Sequence, residues 1–172
     1  MPRTCSIASA LEVVGERWSL LVLREVFYGV HRFVDIQRNT GAPKDILTKR
    51  LTTLVTSGVL EKRSYSEHPP RFEYHATDAG TALRPVLLML DQWGTRWLPD
   101  APHSETVLLH DCGEVVSAHL ECESCHCPII GTDLTAIEPP TVSPGRDRGR
   151  GPHAADHDLD VVRHQGLEPR TR

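Results

Sequence analysis

The sequence predicts an α+β fold, mainly α, and three observations carry the prediction. Across the first hundred residues, apolar side chains recur at helical spacing in five segments separated by glycine, proline or polar turns. Between the fourth and fifth segments lie two short runs with the alternation of strands. Beyond them, residues 106–138 hold four of the five cysteines, and the chain then turns rich in Pro, Gly and charge. The expected domains are therefore 1–100, a helical domain with a hairpin; 104–138, a small β-rich cysteine cluster; and 139–172, a tail too poor in large apolar residues to fold, hence disordered.

Residues 6–14 put Ile7, Leu11 and Val14 on one helical face. Residues 16–28, with Trp18, Leu20, Leu21, Val22, Leu23, Val26 and Phe27, are apolar nearly all round, as in a helix sunk in a core. "RFVDIQRNTG" reads as a short third helix ending at Gly41. In "KDILTKRLTTLVTSGVLEKR", residues 44–63, Leu47, Leu51, Leu54 and Val55 form one buried stripe behind Pro43, which suits a first helical position. Lys44, Asp45, Thr48, Lys49 and Thr52 lie away from the stripe, Arg50 borders it, and Gly58 ends the helix.

"VLEKRSY" and "RFEYHAT" then read as strands, the second alternating Phe72, Tyr74 and Ala76 with Arg71, Glu73 and His75. "SEHPP" between them is the expected hairpin tip. Thr77 or Asp78 can cap a fifth, long helix over 79–98. Pro85 should bend its early part or mark its true start. Leu83, Val86, Leu90, Trp93 and Trp97 follow a coiled-coil-like seam, expected to pair with a second copy of the chain; the plainer alternative is that they pack on their own domain.

This order is that of a winged helix-turn-helix with a long C-terminal dimerisation helix. The third helix supports, the fourth enters the major groove, and the hairpin is the wing. The polar face of the fourth helix fits that task. Lys44 and Lys49 can reach guanine or phosphate, Thr48 and Thr52 a base edge or a thymine methyl, and Asp45 a cytosine amine. Arg50 is placed nearer backbone phosphate, and His68 and Arg71 are the candidate contacts of the wing. Each residue alone could equally belong to a solvated face. The net charge of −4 divides into +2 over residues 1–78 and −6 over 79–172, so DNA binding must rest on a local patch in the first half.

Together, a cysteine ahead of the first helix, "GERWSLLVLRE", "RFVDIQ", "ILTKRLTTLVTSGVLEKR", "PPRFEYHATDAG" and "LRPVLLMLDQWG" resemble the HxlR-type transcriptional regulators over residues 5–98. The resemblance implies a dimeric winged helix-turn-helix protein that binds operator DNA in bacteria. Ala42 stands where that family often has a serine, so a side-chain N-cap is missing, at a cost of about 1 kcal/mol. It also implies a redox sensor at Cys5, whereas the preferred plain reading is a small, buried apolar residue.

His110, Cys112, Cys122 and Cys125 have the paired spacing of a structural zinc site, with His126 and Cys127 as competing ligands. Some resembled regulators carry a similar tail that looks like a small zinc ribbon. The alternative is a redox-prone cluster without metal. "HLE" at 119–121 touches on a zinc deaminase motif, but Glu121 abuts Cys122 with no proline before it, so the match fails. No phosphate-binding loop or nucleophile elbow is present, and no enzyme is expected. No apolar run reaches the roughly 18 residues of a membrane span. The N-terminus breaks into charge too early for a secretory signal, which favours a cytoplasmic protein with reduced cysteines.

The expected function is a homodimeric regulator, repressor rather than activator, on a palindromic operator, responsive to a redox signal or a small molecule. The alternative is a zinc-ribbon and winged-helix module that binds protein instead of DNA. An exposed Lys44/Lys49 face favours the first, and an exposed apolar patch there the second.

Overall fold

Helix α2, Arg17–Phe27, lies at the centre of the first hundred residues. In this computed structural model, which describes residues 5–100, 106–131 and 134–136, it buries Ser19, Val22, Leu23, Glu25 and Val26. Helices α1 (Ser6–Val14), α3 (Phe33–Thr40) and α4 (Lys44–Thr56) pack against it. Leu23, Ile36, Leu47, Leu51, Leu54 and Leu60 are each under 2% exposed. Burial at that level stabilises by about 1.5–3 kcal/mol per side chain. The expectation for α1 holds only at its end: Val14 is buried, but Ile7 and Leu11 are 68% and 56% exposed.

The turn between α3 and α4 needs Gly41. Its φ of +70° is left-handed, and its N–H closes α3 onto the Gln37 carbonyl at 2.9 Å. The buried Glu25 fixes α3 against α2: its carboxylate accepts from Arg24 at 2.7 and 3.0 Å and from Asn39 at 2.8 Å. A buried charge is tolerable when paired and hydrogen-bonded in this way.

Strands β1 (Leu60–Glu67) and β2 (Pro70–Ala76) pair antiparallel from Leu60↔Ala76 to Glu67↔Pro70, with the register shifting between Ser64 and Ser66. Ser66, Glu67 and Pro70 are thus inside the ladder, and the tip shrinks from the expected "SEHPP" to His68 and Pro69. Proline is tolerated at the start of an edge strand, where its missing N–H is not needed. β2 is tied to the α2–α3 loop: Tyr74 N–H donates to the His31 carbonyl at 2.9 Å, His31 and His75 rings stack at 4.2 Å, and Arg32 donates to Glu73 at 3.0 Å. The Arg32 hydrogen bond holds the Glu73 carboxyl below its ordinary pKa against the opposing effect of burial, with His75 adding to it.

The expected long fifth helix is two. A short α5, Asp78–Thr81, precedes α6, Arg84–Trp97, and Pro85 marks the true start of the second. Thr77 caps α5 by accepting from Gly80 N–H at 3.2 Å, while its hydroxyl donates to the Gly58 carbonyl at 2.6 Å. Gly80 is required there, because a Cβ would lie 2.2 Å from the Val59 carbonyl oxygen.

Residues 106–131 form two tight turns, each with one isolated bridge, Leu109↔Val115 and Glu121↔Pro128. The β-rich expectation is met here only by these bridges. The described residues up to 131 form one unit, and those from Leu134 belong to a second. The expected disordered tail, 139–172, lies outside the described residues. No helix among them is long and apolar enough to cross a membrane.

Candidate nucleic-acid interface

α4 has two faces because its leucines recur every three to four residues. Leu47, Leu51 and Leu54 point into the core at 0–1% exposure, while Lys44, Asp45, Thr48, Lys49 and Thr52 are exposed. Pro43 proves to be the N-cap and not the first helical residue, and no side chain caps the helix. Its first N–H groups therefore remain available to an external acceptor, as in helices that receive phosphate. Ala42 is buried, 3% exposed.

The threonines are pre-set. Thr48 Oγ1 donates to the Lys44 carbonyl at 2.8 Å, Thr52 Oγ1 to the Thr48 carbonyl at 2.9 Å, and Thr53 Oγ1 to the Lys49 carbonyl at 3.0 Å. With the hydroxyl proton used internally, the outward chemistry of Thr48 and Thr52 is an acceptor lone pair and a methyl group. Lys44, Asp45 and Lys49 make no side-chain hydrogen bond or ion pair among the described residues, so their charges face outward uncommitted.

Arg50 departs from this group. Its side chain is 14% exposed and approaches Glu16, Nη1 to Oε1 3.9 Å, so it is held by its own domain. On the wing, His68 and Arg71 are exposed and have no side-chain partner among the described residues. Two neighbouring cations that the sequence reading passed over are engaged: Lys62 sits 3.8 Å from the Phe72 ring centroid, and Arg63 pairs with Glu61. Thr56, exposed and four residues beyond Thr52, continues the hydroxyl line; its spacing was the available signal.

On α6, Val86, Leu90, Trp93 and Trp97 are 50–60% exposed along one face, while Leu83, before the helix, packs on the core. Cys5 is the N-cap of α1 and exposed, which corrects the reading of a buried residue.

In the C-terminal turns, His110 Nδ1 lies 3.3 Å from Cys112 Sγ, and Cys122 accepts hydrogen bonds from the segment 124–125. The Cys125 backbone, with Ser124 next, lowers the Cys122 thiol pKa. The Cys125 thiol is raised: the Cys127 backbone lowers it, but Cys122 and Cys127 outweigh that. Among the described residues no three His, Cys, Asp or Glu side chains converge on a common metal position. His110 and Cys112 lie on one turn, and Cys122 and Cys125 on the other.

A helix-turn-helix followed by a wing, with a lysine- and threonine-bearing second helix facing outward, defines a winged helix-turn-helix protein. The model of the HxlR-like helix-turn-helix family matches residues 13–102, and the chain belongs to that family. An uncharacterized HTH-type transcriptional regulator of Mycobacterium tuberculosis is 42% identical over 132 residues, 76% of this chain and 83% of its own. The crystal structure of the transcription-factor candidate PA1607 matches with a TM-score of 0.68 at 33% identity, over 79% of this chain and 96% of that one. The redox regulator HypR in its reduced form matches with a TM-score of 0.51 at 25% identity, over 56% of this chain and 98% of its own.

Proposed function

We propose that the protein is a homodimeric transcriptional repressor that reads a palindromic operator with α4 of each chain. The observation that carries this is the division of α4. Its leucines are fully buried, and its first two turns present uncommitted lysines, an aspartate and back-bonded threonines, with Ile46, half-buried, the one large apolar residue beside them. That composition suits base edges and phosphates and not an apolar protein partner. Repression needs nothing further, since a dimer seated on an operator blocks it by occupancy. The exposed stripe Val86, Leu90, Trp93 and Trp97 supports pairing between copies, because a monomer gains little by leaving four such side chains in water. Two paired recognition helices would meet half-sites roughly 34 Å apart.

The test is a salt titration on DNA selected by the protein from a random pool. Phosphate-based binding falls steeply as salt rises. Affinity that ignores salt, or no selected DNA at all, contradicts the reading.

The zinc reading stands as a proposal for residues 104–138. It is supported by two tight turns, each presenting two borderline or soft donors, His110 with Cys112 and Cys122 with Cys125. These residues fit zinc by type, and binding would draw the two turns together around it; with four protein ligands the metal would be structural. A redox input at Cys5 is supported by its exposure and by the likeness to HypR. Peroxide should then release DNA from the unaltered protein and not from Cys5→Ser.

A further inference from the structure

Helix α2 has a second apolar side. Val22, Leu23 and Val26 fill the core; Leu21 lines a cavity of about 780 Å³, as does Phe27, which also packs on the core. Leu87 and Leu88 of α6 wall it opposite, and Leu108 and Val116 of the C-terminal turns close a third side. The turns are held to α6 by Gln92. With its amide oriented to satisfy both bonds, it donates to the Ala118 carbonyl at 2.9 Å and accepts from Ala118 N–H at 2.7 Å. The cavity meets the exposed stripe of α6 at Leu90 alone: Val86, Trp93 and Trp97 do not line it.

The size is within that of small-molecule sites, which are mostly apolar with a few polar groups. The charged groups here leave no free cation for an anionic ligand. Arg24 is held by the buried Glu25, and Arg84 donates to the Phe27 carbonyl at 3.0 Å with its guanidinium 5.2 Å from the Phe27 ring centroid. Asp91 and Asp111 also line the cavity, so with Arg24 paired to Glu25 the lining carries one net negative charge, which disfavours an anion. An anion would be repelled, and most of the wall is leucine and phenylalanine, which favours an apolar body.

We propose that this cavity binds an uncharged, mainly apolar organic molecule, and that its occupancy sets the angle between α2 and α6. α2 packs on both α4 and α6, so a molecule wedged against it alters how the DNA-reading helix stands relative to the dimer stripe. The regulatory half rests on the operator-binding reading; the binding half does not.

The test uses the full chain and the neutral fluorescent probe N-phenyl-1-naphthylamine. Without DNA, saturable binding of one probe per chain is expected. It should weaken about tenfold or more in Leu88→Gln and in Leu109→Gln, which lie on different walls. Leu109 is 65% exposed, so that variant keeps its fold. Val34→Gln, on an exposed site of α3, should change nothing. No saturable binding, or binding lost only in Trp93→Gln, overturns the site. Saturating probe should shift affinity for selected DNA about fivefold or more, and should not do so in Leu88→Gln. Probe that binds without any such shift overturns the coupling. A chain that binds the probe but no DNA in its absence refutes the operator reading and leaves the cavity standing.

Discussion

Arg50 turns its guanidinium back toward Glu16, with Nη1 3.9 Å from Oε1, and only 14% of its side chain meets solvent. It sits between lysines and threonines on the DNA-facing helix yet belongs to the other face. Its stem packs where α4 meets the α1–α2 turn. Arg50→Met keeps that packing and removes the charge. The expected outcome is an unchanged operator preference in binding-site selection. A changed base preference would place Arg50 among the readers.

Leu90→Asp puts a charge in the middle of the exposed α6 stripe. In a dimer sealed there the charge would be buried without a partner, which costs several kcal/mol. Light scattering should report a folded monomer. A folded Leu90→Asp protein that remains dimeric moves the interface elsewhere.

Gly80→Ala tests the junction between wing and α5. The new Cβ would lie 2.2 Å from the Val59 carbonyl oxygen, which is backbone and cannot swing away. Overpacking of this kind costs about 1–3 kcal/mol, occasionally more. Thr77→Ala should cost about 1 kcal/mol by loss of the cap. Both are read as shifts in denaturation midpoint.

These elements differ in how far the sequence announces them. The faces of α4 were legible because leucine spacing decides which side is buried, and Pro85 was a sound marker of a helix start because it lacks the N–H an interior position needs. Arg50 was ambiguous, since a long side chain beside a stripe can turn either way. The hairpin tip was misjudged because proline was taken to exclude Pro70 from a strand that in fact begins there. α2 looked uniformly buried from composition; that Leu21 and Phe27 face a cavity depends on residues about ninety positions away. Cys5 looked like a core residue because cysteine usually is one.

Cys122 and Cys125 are expected to differ in reactivity. Hydrogen bonds from the Cys125 and Ser124 backbone favour the Cys122 thiolate, while the Cys125 thiol is raised. A lowered thiol pKa means more thiolate at a given pH below it, so iodoacetamide near neutral pH should label Cys122 before Cys125 in metal-free protein, read by peptide mass spectrometry. Added zinc should protect both, and metal analysis should find near one zinc per chain, lost in Cys122→Ser with Cys125→Ser. Zinc that protects neither cysteine contradicts the structural-zinc proposal.

The most direct test of the central claim is operator affinity of Lys44→Ala and Lys49→Ala, each measured as a folded protein at low salt against several DNA sequences. A base contact from Lys49 should cost about 1–3 kcal/mol and alter the preferred sequence, and a phosphate contact should weaken all sequences together. Unchanged affinity of both variants for every DNA would contradict the placement of α4 in the groove.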